Sequence, residues 1–154
     1  MKKFAAREVE EANGTSYPPE FAKAVAGRHY RRLSVAAGLD QFGVNLVRLE
    51  PGAWSSQRHW HSDEDEFVII QSGEAVLVTE EGEMTMQVGD CAGFPAGVED
   101  AHHLINKSDE DCVFLVVGSR SDSDACDYPD IDLKALPGRY SGVGGFTRKD
   151  GSHY

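Results

Sequence analysis

The chain has 154 residues, enough for one domain that buries its own core. Asp and Glu number 26 against 15 Lys and Arg, a formal net charge of -11, which opposes nucleic-acid phosphates and anionic lipid surfaces. The apolar fraction of 40% and charged fraction of 27% fit a soluble globular protein, and the fully apolar runs, about five residues at Val113 to Val117, fall far short of a membrane span.

The start, Met1-Lys2-Lys3-Phe4-Ala5-Ala6-Arg7-Glu8, has a basic end but no apolar stretch behind it, so no secretion signal is expected. The three cysteines, Cys91, Cys112 and Cys126, are odd in number and form no CxxC. Reduced thiols and a cytoplasmic location are the expectation, with Cys91 a buried, inert thiol.

Residues 1–38 read as an N-terminal arm packing on the remainder of the domain. Pro18-Pro19 opens a short helix that Gly27 stops, and Arg31 to Ala36 reads as extended. Residues 39–119 read as strand after strand: Val44 to Leu49, Glu66 to Gln71, Ala75 to Thr79, Met84 to Val88, Cys91 to Phe94, Ala101 to Ile105 and Cys112 to Val117. Short strands with turns every eight to twelve residues predict an all-β sandwich or barrel. Residues 120–154, rich in Ser, Asp, Gly and Pro with scattered apolar anchors, form a tail. It either lies along the domain or ends in disorder beyond Pro137.

The chemistry concentrates between Gly52 and Gly73. On a strand, His59 and His61 share one face because side chains alternate, and Trp60 points the other way. A turn through Ser62 to Asp65 would bring Glu66 back beside them. Two imidazoles and a carboxylate on one face make a facial triad for a first-row divalent metal. His102 or His103, beginning a later strand, would add a third imidazole and leave open coordination positions. Alone, an HxH pair or the acidic turn from Asp63 to Glu66 would read as solvated surface. The ordered combination is more specific.

That order resembles the cupin family. Gly52, His59, His61, Glu66 and Gly73 match its first motif, G-x5/6-H-x-H-x3/4-E-x6-G. Gly89, Pro95 and Gly97 match the second, G-x5-P-x-G-x2-H-x3-N, with two extra residues before the histidine. His102 keeps the spacing to Asn106 and is the ligand carried over, with His103 facing away. The resemblance covers residues 39–119 and implies a double-stranded β-helix, the jelly-roll barrel, with one divalent ion (Fe, Mn, Zn or Ni) held by His59, His61, Glu66 and His102. The ends YPDIDL and FTRKDG look like those of short bacterial single-domain cupins, some labelled sugar-phosphate-isomerase-like.

Alternation then places Ser55 and Gln57 on the inward face as substrate-binding candidates. Either Asn45 or Arg48 faces inward, not both. Phe67, Ile69 and Trp60 fall outside the barrel and predict a homodimer, unless the arm covers them. Phe67 and Val68 follow Glu66 where cupin lyases acting on dimethylsulfoniopropionate typically carry tyrosine, which demotes that activity. A site of net charge near +1 favours a small anionic or oxygen-rich ligand. An isomerase or dioxygenase is the leading expectation, and a non-catalytic metal-dependent sugar or carboxylate binder the alternative. The proton-transfer group is unassigned; Tyr30 or Tyr140 could serve only if the termini fold over the barrel mouth.

Overall fold

A computed structural model describes residues 3–154. In chain order it has strands β1 (Ala12–Asn13), β2 (Arg28–Arg32), β3 (Phe42–Leu49), β4 (Trp60–His61), β5 (Glu66–Ser72), β6 (Ala75–Thr79) and β7 (Gly82–Met86). They are followed by β8 (Cys91–Phe94), β9 (His103–Ile105), β10 (Cys112–Ser119), β11 (Cys126–Tyr128), β12 (Leu133–Ala135) and β13 (Phe146–Thr147). Helices α1 (Pro19–Ala22) and α2 (Leu33–Ala37) lie before β3. Proline opens α1 as its sequence predicts, and a 3-10 turn over Lys23–Val25 carries the chain to Gly27. Of Arg31 to Ala36, expected to be extended, Arg31 and Arg32 end β2, whereas the chain from Leu33 to Ala37 is helical. Gly38 ends it at φ 76°, the left-handed cap that glycine adopts without strain.

The strands pair antiparallel throughout. A six-stranded sheet runs β1-β2-β3-β10-β5-β8, a three-stranded sheet runs β7-β6-β9, and a four-stranded sheet runs β13-β12-β11-β4. The inner faces of the first two meet in one core. Val47, Leu49, Val68, Ile70 and Phe114 from the large sheet pack with Ala75, Leu77, Met86 and Leu104 from the small one. Each such aliphatic side chain withdrawn from water contributes roughly 1.5–3 kcal/mol, which is why alternation on these strands dictates the register. The result is the jelly-roll barrel.

Two motif residues close it. Gly73, in the turn after β5, has φ 70°, and a Cβ there would stand 2.5 Å from the Asp111 carbonyl oxygen, so only glycine fits. Asn106 is fully buried and donates from Nδ2 to the carbonyls of Leu49 (2.9 Å) and Glu110 (2.7 Å), joining the end of β3 to the turn before β10.

Register settles the β3 alternative. Asn45 lines the central cavity, whereas Arg48 faces outward to Glu11 (2.8 Å) and Asp111 (2.9 Å). Arg31 is bound by the Val9 carbonyl, so the N-terminal arm lies along the outer side of β2 and β3. The C-terminal residues are built into the fold: β11 pairs with β4, and β12 and β13 extend that sheet over a small core of Cys126, Tyr128, Leu133 and Ala135. Cys91, expected to be buried, is exposed, because it pairs with Ile69 on the outward register of the edge strand β8. The three thiols are free, and no described helix is long and apolar enough to cross a membrane.

Candidate metal centre

His59 and His102 face each other as a two-way bridge, their backbones bonded in both directions (3.2 and 2.9 Å). His61, two residues on, enters β4, and Glu66 begins β5. The Nε2 atoms of His59 and His61 lie 3.1 Å apart, and Nε2 of His102 lies 3.1 Å from Glu66 Oε2. The four residues anticipated from their spacing therefore line one cavity, meeting as two pairs.

Each imidazole is held by its other nitrogen. Nδ1 of His59 is 2.9 Å from the Gln57 carbonyl, that of His102 is 3.1 Å from the Asp100 carbonyl, and that of His61 is 2.8 Å from Asp124 Oδ2. These partners only accept, so each Nδ1 must donate, and each Nε2 presents a lone pair unless a second proton is added. Phe94 stacks flat on the His102 ring, with centroids 3.5 Å apart. The two 3.1 Å contacts then set acceptor against acceptor unless a proton or a metal cation lies between them. That donor set fits a first-row divalent ion.

Titration reflects these neighbours. Burial holds His59 neutral, with help from His61, at a pKa of about 3. Burial also works against charge on His61, but the Asp124 carboxylate and Cys126 outweigh it and raise the imidazole to about 10. Burial opposes ionisation of Glu66, yet the His102 contact and the surrounding imidazoles bring it down to about 2. Its side chain still keeps 26% of its surface open, toward the cavity.

Among the described residues, the groups of three or more donors whose ligand atoms lie within 4.8 Å of one another are His59, His61 and Cys126, and His61, Glu64 and Asp124; Glu66 and His102 belong to neither. The second is already compensated. Glu64 Oε1 accepts from Tyr140 OH (2.8 Å) and from the Ser121 amide (2.8 Å), and Arg139 approaches both Glu64 (3.7 Å) and Asp124 (3.6 Å). Asp124 Oδ1 accepts the Asp63 amide. Its role here is to orient His61, and Cys126 Sγ lies against the same ring nitrogen at 3.4 Å. Sequence spacing did not reveal Asp124, Cys126 or Arg139, since contacts across sixty residues arise from tail docking, and Glu64, three residues after His61, read only as part of a solvated acidic turn.

The cavity measures about 1050 Å³. Ser55 lines it, accepting the Leu104 amide on Oγ (2.9 Å). Gln57 is placed differently from expectation: it is buried, with Nε2 donating to the Phe21 carbonyl (2.8 Å), and Ser56 takes the place beside Ser55 in the wall. Strict alternation fails because residues 55–58 form bends and not a strand. His103 bonds the Ser56 carbonyl through Nδ1 and sits edge-on to Trp54, and it makes neither of the two 3.1 Å contacts. Trp60 belongs to the four-stranded sheet, opposite Asp127, and not to the sheet that carries Phe67. Tyr30 and Tyr140 both reach the cavity, the first from the N-terminal region and the second from the tail.

The cupin domain family matches residues 45–118. A sugar phosphate isomerase from a cupin superfamily, from Silicibacter pomeroyi, is 46% identical over 99% of this chain and 96% of its own, with a TM-score of 0.92. A second structure, from Acidithiobacillus ferrooxidans and provisionally named a sugar phosphate isomerase, is 32% identical over 82% of this chain and 80% of its own, TM-score 0.74. A polyketide cyclase from Streptomyces resistomycificus shares the fold at 20% identity and TM-score 0.64 over 77% of this chain and 79% of its own. No curated protein sequence matches. The jelly-roll barrel, the cupin domain match and near-complete coverage of a cupin relative agree: this chain belongs to the cupin superfamily.

Proposed function

We propose that the protein is a metal-dependent enzyme acting on a small, oxygen-rich anionic substrate, of the isomerase type, with His59, His61, Glu66 and His102 holding one divalent ion. The observation that supports the reading is a pair of close contacts, His59 Nε2 to His61 Nε2 and His102 Nε2 to Glu66 Oε2, each 3.1 Å, lining the same cavity. A bound divalent ion would supply Lewis-acid polarisation of substrate oxygens. The names of the two more similar structures favour sugar phosphates.

Isomerisation also needs a group to move a proton between neighbouring carbons, and a carboxylate engaged with a metal is a poor base. Glu64, hydrogen-bonded to Tyr140 OH at 2.8 Å in the same cavity wall, supports an isomerase over chemistry that needs no protein base. In this reading the pair takes a proton from the carbon bearing a hydroxyl and returns it to the adjacent carbonyl carbon, while the hydroxyl proton passes to the former carbonyl oxygen, so no atoms are gained or lost. Burial and Glu64 push the Tyr140 phenol up to about 12, which suits it to remain a donor that orients the carboxylate.

The test is metal-loaded protein incubated in D2O with aldose and ketose phosphates, followed by proton NMR. Exchange of a carbon-bound proton supports the reading. Oxygen consumption by the iron-loaded protein without exchange would replace it with a dioxygenase, and neither would leave a ligand-binding protein.

A homodimer is proposed on the outer face of the large sheet. Phe67 is 43% exposed there, beside Val117 and near Ile69, an apolar surface that the chain itself leaves open at Phe67. Light scattering should give twice the chain mass, with Phe67→Glu shifting it to monomer; a monomeric wild type at micromolar concentration contradicts this.

A further inference from the structure

In a chain of net charge -11, the placement of unpaired cations is informative. Arg31, Arg48, Arg58 and Arg139 each stand against a carboxylate. Among the described residues, Arg7, Arg28, Arg32, Arg120 and Arg148 have none, and of these Arg28, Arg32 and Arg120 line the cavity that holds the metal ligands. Arg32 meets Tyr30, through its hydroxyl (3.3 Å) and its ring (5.1 Å). Arg120 makes two long contacts, to the Leu39 carbonyl (3.3 Å) and Ser34 Oγ (3.5 Å), and lies over the Tyr140 ring (5.6 Å). Both guanidinium groups keep unused donors. The cavity's acids are occupied: Glu64 by Tyr140 and Arg139, Asp65 by the Ala96 amide, Glu66 at the imidazoles.

Sheet register shows how these arginines relate to the metal ligands. Glu66 on β5 pairs with Gly118 on β10, which pairs with Gly43 on β3. With strands about 4.8 Å apart, these two steps cover about 10 Å of inner sheet that carries no side chain. At its far end, Arg120 Nε is 3.9 Å from where a Gly43 Cβ would sit. The neighbouring inward row runs Val68, Val116, Asn45, Arg32. A bare trough thus leads from Glu66 to a pair of uncompensated guanidinium groups on two different segments.

We propose that Arg32 and Arg120 form a phosphate subsite, and that the ligand lies along the Gly118–Gly43 trough with its other end at His59, His61, Glu66 and His102. The subsite deepens the function proposed above and rests on it for what happens at the ligand's other end. A phosphate monoester presents several anionic oxygens, enough for two separate guanidinium forks, and charge-assisted bonds in a partly closed cavity are the strong ones. The trough's length suits a short phosphorylated sugar and leaves a bare phosphate ion unable to reach both ends.

Calorimetric titration of the full chain with ribose 5-phosphate, ribose and inorganic phosphate tests this, with metal content measured in the same preparations. Wild type is expected to bind ribose 5-phosphate on the order of tenfold more tightly than ribose, the scale of one charge-assisted bond. The double variant Arg32→Gln, Arg120→Gln should lose that preference with metal content unchanged. Gly43→Val keeps both charges, and its Cβ would meet nothing closer than 3.8 Å, so it should fold yet also weaken ribose 5-phosphate binding by obstructing the trough. Equal affinity for ribose and ribose 5-phosphate in wild type overturns the subsite, as does a preference that survives the double variant. Loss of metal from His59→Ala protein that still prefers the phosphate ester supports the subsite; failure of wild type to bind metal would count against the metal reading alone.

Discussion

His61 is bonded to Asp124 on one side, at 2.8 Å, and meets His59 Nε2 on the other, at 3.1 Å. Without a cation, a proton on His61 Nε2 satisfies the second contact, and its raised pKa of about 10 keeps that proton at neutral pH. Metal binding must expel it. Calorimetry in buffers of different ionisation enthalpy should report release of about one proton at pH 7, and affinity should rise about tenfold per pH unit through neutrality. Affinity independent of pH between 6 and 8 would contradict this coupling.

Asp124 holds the His61 ring without reaching the convergence point itself. Asp124→Asn keeps the shape but weakens the acceptor, so metal affinity should fall about 10–100-fold. The proton released on binding should also diminish, because the His61 pKa drops toward its ordinary value. A variant with unchanged affinity and proton release would show that the contact is structural only.

Asn106 predicts a stability effect without a metal effect. Asn106→Ala removes two buried donor contacts, to Leu49 and Glu110, and the acceptor of the Ser108 amide. Chemical denaturation should show a loss of about 2–4 kcal/mol, from carbonyls left unpaired in the core. Metal stoichiometry at low temperature should remain that of wild type.

Tyr140→Phe separates proton handling from binding. It deletes the 2.8 Å bond to Glu64 and should lower turnover on the order of tenfold or more while metal content and ribose 5-phosphate affinity hold. Equal loss of binding and turnover would place Tyr140 in ligand contact instead.

The strands that carry the ligands were legible because alternation over β3, β5 and β10 is dictated by core burial, and because His59, His61, Glu66 and His102 sit within or beside paired backbone. What escaped falls into two kinds. Gln57 was misplaced because residues 55–58 bend, so period two did not apply. Asp124 and Arg139 were invisible because the contacts joining them to the ligands form only when the tail docks on β4, and Glu64 was hidden because an acid in a run of acids reads as solvated surface. The short helix Leu33–Ala37 was missed since five residues give too little periodicity to read.

The central claim is that His59, His61, Glu66 and His102 together hold one divalent ion. The most direct measurement is elemental analysis of untagged, purified protein beside the double variant His59→Ala, His61→Ala, with circular dichroism to verify folding. About one equivalent of a first-row metal in wild type and none in a folded double variant is the predicted result. Full metal retention in the double variant would contradict the site.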